Sequence, residues 1–574
     1  MFKLLRYMKG YTKECIISPF FKLLEASFEL LVPLVVASII DIGIANDDKV
    51  FVVQRCLILV ALAVVGLSCT LLAQYYAAKA AVGFSTKVKH SLFSHIQSLS
   101  YTEIDTLGTS TLITRMTSDM NQVQSGVNLT LRLLLRSPFI VFGAMIMAFT
   151  IDLNGALVFV ATIPILALVI FGIMYATIPL YKKVQGRLDG VLKLTRENLS
   201  GARVIRAFAN EENEEKSFKV ATSSLNIAQK FVGKISAIMN PATYAIINIA
   251  IAVLIWQGAI RVDAGTLSQG EVIALYNYMS QILIELIKLA NLIITLTKAV
   301  ACGNRVEAVF EIKSSIEAKN LDIEYQATES IVEFKNAYLR YANASEPSLE
   351  NISFSVKRGE TIGIIGGTGS GKTSLINLIS RFYDASDGEV LINGINVKEY
   401  PIEALREKIG IVPQKAVLFS GSIRDNMKWG NENATDEEII DAISLAQAKD
   451  VLDGKDGGLD YIIEQGGKNL SGGQRQRFTI ARALVKKPDI LILDDSSSAL
   501  DYATDARLRS SIASLDYNPT VFIVSQRTAS IANADKIVVL NDGAVVGIGK
   551  HEDLLESCLV YSEIYNSQFK KEGK

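Results

Sequence analysis

Long apolar runs dominate the chain up to about Val300 and are absent after it. A helix needs about 20 mostly apolar residues to cross the hydrocarbon core of a bilayer. Six segments have that length, and we predict a membrane helix in each of the ranges 16–44, 54–78, 129–151, 156–179, 240–262 and 271–298. Only the turn from Asp152 to Gly155 separates the third segment from the fourth, so we expect these two helices to form a tight hairpin.

Two long polar stretches separate the second segment from the third and the fourth from the fifth. Both contain few Pro or Gly residues, so we expect the membrane helices to continue well into the aqueous phase. Basic residues cluster on one side of this topology: Lys3, Arg6, Lys9 and Lys13 before the first helix, Lys79, Lys87, Lys89 and Arg115 after the second, and Lys182, Lys183, Arg187, Lys193, Arg196, Arg203 and Arg206 after the fourth. The positive-inside rule therefore predicts a multi-pass protein of the cell membrane with both termini in the cytoplasm. The alternative is a hydrophobic soluble bundle, which the match between charge and topology disfavours.

The composition agrees with a membrane domain joined to a soluble one. The 574 residues have a mean hydropathy of +0.29, yet 20% of them are charged. The formal net charge of −1 gives no reason to expect a nucleic-acid partner, which favours basic faces. The five cysteines are scattered without CxxC spacing, so neither a disulfide framework nor a zinc site is expected. Glu25 and Glu29 lie within the first apolar segment, which we interpret as a retained membrane helix and not a cleaved signal.

The second half of the chain has a different periodicity. We predict an all-α membrane domain over 1–312, a polar linker over 313–330 and an α/β domain over 331–574, where β-branched runs alternate with helical patterns.

A glycine-rich run in the α/β domain fits the phosphate-binding loop of nucleotide-dependent enzymes. It follows the apolar strand 361–365 and opens a helix, and its residues are Gly366, Gly367, Thr368, Gly369, Ser370, Gly371, Lys372 and Thr373. Glycines let backbone N–H groups wrap the phosphates of ATP, Lys372 reaches the β- and γ-phosphates, and the Thr373 hydroxyl binds Mg²⁺. The combination of strand, loop and helix disfavours a glycine-rich turn without nucleotide. The buried strand 490–493 ends in Asp494, whose carboxylate would hold Mg²⁺ through water.

A run of small residues precedes a second helical segment: Ser471, Gly472, Gly473 and Gln474, within Leu470 to Arg477. This run resembles the signature motif of the ATP-binding-cassette (ABC) superfamily. The whole chain resembles bacterial type IV exporters, including the multidrug exporters, in which a six-helix membrane domain is fused to a phosphate-loop ATPase. The resemblance implies two ATP-binding domains that sandwich two ATPs, each between one domain's phosphate loop and the other's signature.

The same resemblance assigns roles to further residues. Tyr341 matches the aromatic side chain that stacks on adenine, although a surface tyrosine before a loop would look the same. Gln414 matches the glutamine that touches Mg²⁺ and senses the membrane domain, and 498–501 matches the loop that communicates between the two sites. The tips of the cytoplasmic extensions, around 106–112 and 207–214, would dock on the ATPase domains as coupling helices.

Two positions at the catalytic centre depart from the family pattern. Asp495 stands where active members have the Glu that activates water, and Gln526 stands where they have a switch His. The segment 464–467 also differs from the usual cross-talk motif. We therefore expect the half of a heterodimeric exporter that carries the degenerate site: it binds ATP, hydrolyses it slowly, and completes the active site of a different partner chain with its signature. A homodimer with two slow sites remains the alternative.

The cargo is not defined by the residues. Apolar cavity walls suit amphipathic, hydrophobic small molecules such as drugs, but a lipid or peptide exporter needs similar walls. Ionisable groups inside a membrane are costly and face a cavity or a partner; here they are Glu25, Glu29, Asp41, Glu285 and Lys288. Glu285 and Lys288 either pair or contact cargo. Glu25 and Glu29 either attract cationic cargo or lie near the headgroups, and Asp41 is a candidate for an outer gate. A soluble ABC ATPase and a gated channel are the competing function classes, and the six spans disfavour the first.

Overall fold

A computed structural model describes residues 1–316, 328–342 and 344–569. These residues form two compact units. The helical unit contains 1–97 and 110–312, and the α/β unit contains 98–109 together with the chain from 313 onward. The predicted linker 313–330 lies largely outside the described residues, because 317–327 are not among them. The short segment 98–109 follows a membrane helix in the chain but packs with the α/β unit.

Helices α1 to α10 cover the first half of the chain. They are α1 (Thr12–Ser38), α2 (Lys49–Ser98), α3 (Tyr101–Leu107), α4 (Thr109–Thr114), α5 (Met120–Leu133), α6 (Arg136–Ile151), α7 (Leu153–Ser200), α8 (Ala202–Ala207), α9 (Glu211–Asp263) and α10 (Gln269–Glu311). A 3₁₀ turn (Phe2–Met8) precedes them, and π turns at Ile39–Ile44 and Arg115–Asp119 extend α1 and join α4 to α5. Within the described part of the chain six helical stretches are long and apolar enough to cross a membrane, which confirms the predicted set: Thr12–Ile44, Lys49–Ser98, Thr109–Ile151, Leu153–Ser200, Glu211–Asp263 and Gln269–Glu311.

The long helices continue far beyond their apolar parts. Helix α2 has 50 residues and α9 has 53, which at the α-helical rise is about 75–80 Å, more than twice the thickness of the hydrocarbon core. The hairpin between α6 and α7 is as short as its sequence predicts. Asp152 alone separates the helices, and its carboxylate accepts a hydrogen bond of 2.6 Å from Gly155 N, capping α7.

Small side chains let the membrane helices pack closely. The core of the helical unit combines fully buried alanines with a few large residues, among them Ala26, Ala144, Ala148, Ala156, Ala274, Phe159 and Tyr278. Alanine permits the near approach of helix backbones that stabilises helix pairs in lipid, where the hydrophobic effect between helices is absent.

The α/β unit contains a mostly parallel sheet and an antiparallel one. Its strands are β1 (Ser330–Leu339), β2 (Leu349–Lys357), β3 (Thr361–Gly366), β4 (Asp387–Ile392), β5 (Ile395–Asn396), β6 (Ile409–Val412), β7 (Gly421–Ser422), β8 (Ile462–Ile463), β9 (Ile490–Asp494), β10 (Thr520–Val524), β11 (Lys536–Asn541) and β12 (Ala544–Gly549). Its helices are α11 (Lys372–Ile379), α12 (Ile402–Glu407), α13 (Ile423–Lys428), α14 (Asp436–Leu445), α15 (Lys449–Asp453), α16 (Gly472–Val485), α17 (Tyr502–Ala513), α18 (Thr528–Ile531), α19 (His551–Ser557) and α20 (Leu559–Gln568).

The strand order explains where a site forms. The larger sheet runs β12-β11-β3-β10-β9-β6, and all neighbours except β12 are parallel. The antiparallel sheet runs β2-β1-β4-β5. Because parallel strands end at one edge, the loops after β3, β9 and β10 meet there.

Candidate nucleotide site

The central strands bring three sequence motifs to one edge of the sheet. Strand β10 lies between β3 and β9, with Val524 opposite Ile364 on one side and Asp494 on the other. The phosphate loop follows β3, the acidic pair follows β9, and Gln526 follows β10. One cavity of about 240 Å³ unites most of the predicted residues, and it is lined by Ser348, Thr368, Gly369, Ser370, Gly371, Lys372, Thr373, Ser374, Gln414 and Gln526.

The phosphate loop needs glycine at its last turn before α11. Gly371 has φ +94°, and a Cβ there would lie 2.7 Å from Ser348 O, so both the backbone and the neighbouring strand exclude a larger residue. The Lys372 ammonium donates to Gly366 O at 2.9 Å and Gly367 O at 2.6 Å, and thus lies over the loop. Burial lowers the pKa of Lys372, while the nearby carboxylates of the acidic pair act in the opposite direction.

Thr373 and Asp494 form the candidate Mg²⁺ site. Asp494 is buried, and the Thr373 hydroxyl donates to its Oδ2 at 3.2 Å. Burial raises the pKa of Asp494 from its ordinary value, and the hydrogen bond from Thr373 acts in the opposite direction. A hydroxyl and a carboxylate beside a phosphate loop are oxygen donors of the kind that Mg²⁺ uses, so Thr373 and Asp494 would hold the cation.

Asp495 lies next to this pair in a different environment. It is half-buried, its φ of +45° places it in the left-handed region, and Gln414 Nε2 donates to its Oδ2 at 3.4 Å. Aspartate tolerates this backbone conformation better than most residues. Burial raises the pKa of Asp495, while Gln414 and the positive charges of Lys372 and Arg527 oppose that shift. Asp495 thus contacts Gln414, one of the two glutamines that line the cavity.

Tyr341 contacts the start of the phosphate-loop helix and does not line the cavity. Its hydroxyl lies 2.9 Å from Ser374 Oγ, and its ring meets Tyr383 edge-on with centroids 4.9 Å apart. Tyr383 donates a hydrogen bond to Asp105 on α3. Tyr101, also on α3, packs on Phe382 at 4.9 Å. The first predicted tip therefore lies a few residues earlier than expected, on Tyr101–Leu107, and belongs to the α/β unit close to the candidate adenine contact.

The second predicted tip lies in the helical unit. Helix α8 forms the turn between α7 and α9, again a few residues before the expected range. Val204 on this helix is 60% exposed, and Phe208, which directly follows it, is 79% exposed. Exposed apolar side chains of this size in an aqueous segment are typical of an interaction surface.

The signature residues do not line the cavity. Ser471 caps α16: its hydroxyl accepts from Gln474 N at 3.3 Å, and the Gln474 side chain accepts from Ser471 N at 3.0 Å. Ser471 and Gly472 are exposed. The first backbone N–H groups of a helix have no acceptor within it, so the start of α16 has the geometry of an anion-binding site.

Sequence reasoning missed two residues beside the switch position. Residues 525–528, here called the switch loop, lead from β10 into α18. The Arg527 guanidinium lies 4.9 Å from the Tyr502 ring and 3.5 Å from both Ser498 O and Leu500 O, so it joins the switch loop to the predicted communication loop 498–501. Gln568, at the end of α20, contacts the same loop. No local pattern reveals either contact, because both partners are distant in sequence.

The predicted ionisable residues of the membrane helices, apart from Asp41, form a charge-compensated cluster. Arg136 Nη1 contacts Glu285 at 2.6 Å, and its Nη2 contacts Glu29 at 2.6 Å and Glu25 at 3.8 Å. Lys288 pairs with Glu285 at 2.7 Å, which was one of the two expected outcomes. Lys22 pairs with Glu25 and Ser137 donates to Glu285. Arg136 and Lys22 were overlooked, although each is visible as a charge within a predicted span.

Asp41 holds the start of α10. Its carboxylate accepts from Gly270 N at 2.7 Å and from the Ser268 hydroxyl at 2.6 Å. Gly270 leaves space for this contact, since a Cβ there would lie 2.4 Å from Ala37 O. The residue that suggested an outer gate thus fastens the first membrane helix to the last.

Comparison with known proteins agrees with both halves of the chain. The model of the ABC transporter transmembrane region matches residues 15–286, and the model described as ABC transporter matches residues 349–498. YfiB of Bacillus subtilis (strain 168), an uncharacterized ABC transporter ATP-binding protein, is 36% identical over 100% of this chain and 99% of its own length. The chain belongs to the ABC transporter family.

Other matches refine the picture of this ABC transporter. An ATP-dependent lipid A-core flippase of Escherichia coli (strain K12) is 28% identical over 95% of this chain and 94% of its own length. The solved structure of a bacterial Atm1-family ABC exporter with ATP bound superposes with a TM-score of 0.81, at 21% identity, over 98% of this chain and 99% of that one. The predicted fold class is confirmed: a six-helix exporter domain joined to an α/β ATP-binding domain, in a multi-pass membrane protein.

Proposed function

We propose that this ABC exporter is one half of a heterodimer, in which its own nucleotide site is the degenerate one. The observation that carries the proposal is the set of residues that line the cavity or hydrogen-bond to its lining. Lys372, Thr373 and Asp494 provide a complete set for ATP with Mg²⁺, whereas Asp495 and Gln526 occupy the two positions where hydrolysis needs a Glu and a His. ATP binding is retained in this arrangement and hydrolysis is slow.

The chemistry of the two substitutions supports slow turnover. The Asp495 carboxylate is one methylene shorter than that of Glu, and misplacement of a catalytic group by about 1 Å can cost about 10²-fold in rate. Loss of a general base costs about 10²–10⁴-fold. A neutral Gln526 amide donates a hydrogen bond to a phosphate but does not add the positive charge that a protonated His supplies. In addition, Asp495 already accepts a hydrogen bond from Gln414.

The signature supports a contribution to a second chain. Ser471, Gly472, Gly473 and Gln474 form an intact helix start that does not line this chain's cavity, and Ser471 and Gly472 are exposed. We propose that it binds the nucleotide of a partner half-transporter, which supplies the catalytic Glu and the switch His. The exposed Val204 on α8 and Phe208 directly after it are a further surface suited to that partner.

Orientation and cargo belong to the same proposal. The α/β unit, the linker over 313–330 and both termini are cytoplasmic, as the distribution of Lys and Arg supports. The cargo is a hydrophobic or amphipathic small molecule, multidrug export being the preferred form. Since Glu25 and Glu29 are engaged by Arg136, they are not free to attract cationic cargo. A lipid is the second candidate, supported by relatives named lipid A-core flippases.

The test compares ATPase rates in lipid for this chain alone and for its complex with a second half-transporter. In the complex, Ser471→Ala in this chain should lower turnover by about 10²-fold, the size expected when a phosphate-stabilising donor is lost. Asp495→Asn should change the same rate by less than about twofold, because the fast site uses the partner's base.

The homodimer alternative predicts the reverse pattern. If the chain alone turns over ATP at the rate of the complex, and Asp495→Asn abolishes that activity, the heterodimer proposal is wrong. Lys372→Ala serves as the control for contaminating ATPases, since it removes the phosphate ligand from this chain.

A further inference from the structure

The C-terminal helix α20 is hydrogen-bonded to the switch loop, which carries Gln526. Three hydrogen bonds join them through a single side chain. Gln568 Oε1 accepts from Thr528 N at 2.9 Å and from Thr528 Oγ1 at 3.0 Å, and Gln568 Nε2 donates to Gln526 O at 2.6 Å. Both ends of the amide are therefore used on the same loop.

The loop needs this partner for a simple backbone reason. Thr528 is the first residue of α18, so its N–H has no acceptor within the helix. Arg527, the residue before it, makes no side-chain capping bond. Thr528 is fully buried, where an unpaired N–H is costly. Gln568 supplies the missing cap from another element.

The first half of α20 is fixed by contacts with the core and with α19. Tyr561 is fully buried in the core of the α/β unit, and its hydroxyl lies 2.6 Å from His551 Nδ1 on α19. Tyr565, one turn further along α20, meets the same imidazole with ring centroids 5.4 Å apart. The helix is thus anchored at one end by His551 and bound to the switch loop at the other.

Gln526 contacts α20 and also lies at the nucleotide cavity. The carbonyl of Gln526 accepts from Gln568, while Gln526 is also one of the residues that line the nucleotide cavity. Its neighbour Arg527 is tied through its own N–H to Ser525 Oγ at 2.9 Å. The C=O and N–H of the peptide between Gln526 and Arg527 are therefore both hydrogen-bonded. Because α20 provides one of these bonds, the position of the Gln526 side chain at the cavity depends on α20.

We propose that Gln568 is a positioning residue for the nucleotide site. By holding the peptide of Gln526, the C-terminal helix determines how well this site distinguishes the terminal phosphate of ATP. The inference rests on the proposed binding of ATP by this chain, but not on a heterodimeric assembly. It links the end of the chain to the state of the nucleotide site.

The experiment measures the affinities of Mg²⁺-ATP and Mg²⁺-ADP for the full-length chain in lipid nanodiscs by calorimetry. Gln568→Ala should reduce the ratio of ATP to ADP affinity by about fivefold, a fraction of the effect of one hydrogen bond to a charged group. ADP affinity should stay unchanged, because the phosphate loop is untouched. Gln568→Glu, which cannot donate to Gln526 O, should behave like the alanine variant.

Asn566→Ala is the matched control. Asn566 lies on the same helix, is exposed, and its side chain donates a hydrogen bond to Ser562 within α20. This variant should leave both affinities unchanged. A purely structural role of Gln568 would lower the two affinities together, and that result overturns the proposal.

A double-mutant cycle identifies the route of the effect. Gln526→Ala alone should reduce the affinity ratio by about tenfold, and adding Gln568→Ala should cause no further loss if Gln568 acts through Gln526. Additive losses, or an unchanged affinity ratio in Gln568→Ala, refute the positioning role of Gln568 and leave the proposed ATP site standing. A wild-type chain that binds neither nucleotide refutes both the proposed ATP site and the positioning role of Gln568.

Discussion

Two adjacent carboxylates at the end of β9 have different surroundings. Asp494 is the last residue of the strand, is buried, and accepts from Thr373. Asp495 is the first residue of the loop, is half-buried, and accepts from Gln414. Adjacent positions at a strand end point in different directions, so the Asp494 carboxylate contacts Thr373 and the Asp495 carboxylate contacts Gln414.

This difference predicts that the same substitution has a large effect at Asp494 and a small one at Asp495. Asp494→Asn should weaken the Mg²⁺-dependent part of ATP binding by about tenfold or more, because a charged oxygen ligand becomes neutral. Asp495→Asn should change it by less than about twofold. ATP titrations of the full-length chain with Mg²⁺ and with EDTA measure both effects. Equal losses in the two variants would contradict the separate roles.

At the scale of elements, the contact between the end of α1 and the start of α10 is made by one carboxylate. Asp41 binds Gly270 N and the Ser268 hydroxyl, and Ser268 in turn caps α10 together with Glu271. Side-chain acceptors at a helix start stabilise it because the first N–H groups have no partner within the helix.

Asp41→Ala should therefore destabilise the helical unit by about 1–2 kcal/mol, the usual loss for a capping residue. Asp41→Asn should cost less, since its amide oxygen still accepts from Gly270 N. Thermal unfolding of the purified chain in detergent measures the difference. A melting temperature unchanged in the alanine variant would show that this cap has no energetic role.

At the scale of the whole molecule, the helical unit gathers its internal charges around Arg136. This residue, on α6, binds Glu25 and Glu29 on α1 and Glu285 on α10, so three separated segments meet at one guanidinium. Glu285 is only 2% exposed. A buried carboxylate of this kind is tolerated only while its partners remain.

Arg136→Met should destabilise the helical unit by about 3–5 kcal/mol, because it leaves Glu285 buried with Lys288 as its sole remaining cation among the described contacts. The double variant Arg136→Met with Glu285→Met should recover a large part of that loss, since both buried charges are removed. Chemical unfolding in detergent measures both variants. If the double variant is no more stable than the single one, the coupling between the two residues is absent.

Much of the site was predictable because its parts are contiguous in sequence. The phosphate loop, Asp494 and the signature are each coded within a few residues whose backbone requirements are strict, as at Gly371 with φ +94°. The partners of the switch loop were not predictable. Gln568 reaches Gln526 across 42 positions, and the periodicity of α20 does not distinguish this glutamine from any exposed one.

The sequence alone determined the six membrane spans, the α/β domain and the motifs for ATP and Mg²⁺, because hydrophobic length, periodicity and loop chemistry are local properties. The departures at Asp495 and Gln526 were also evident without coordinates. Tertiary structure decided what these residues touch. Packing of distant helices paired the intramembrane charges around Arg136, placed α3 against the ring of Phe382, and brought the end of α20 to the switch loop. Such contacts depend on the geometry of the folded chain, which no short stretch of sequence encodes.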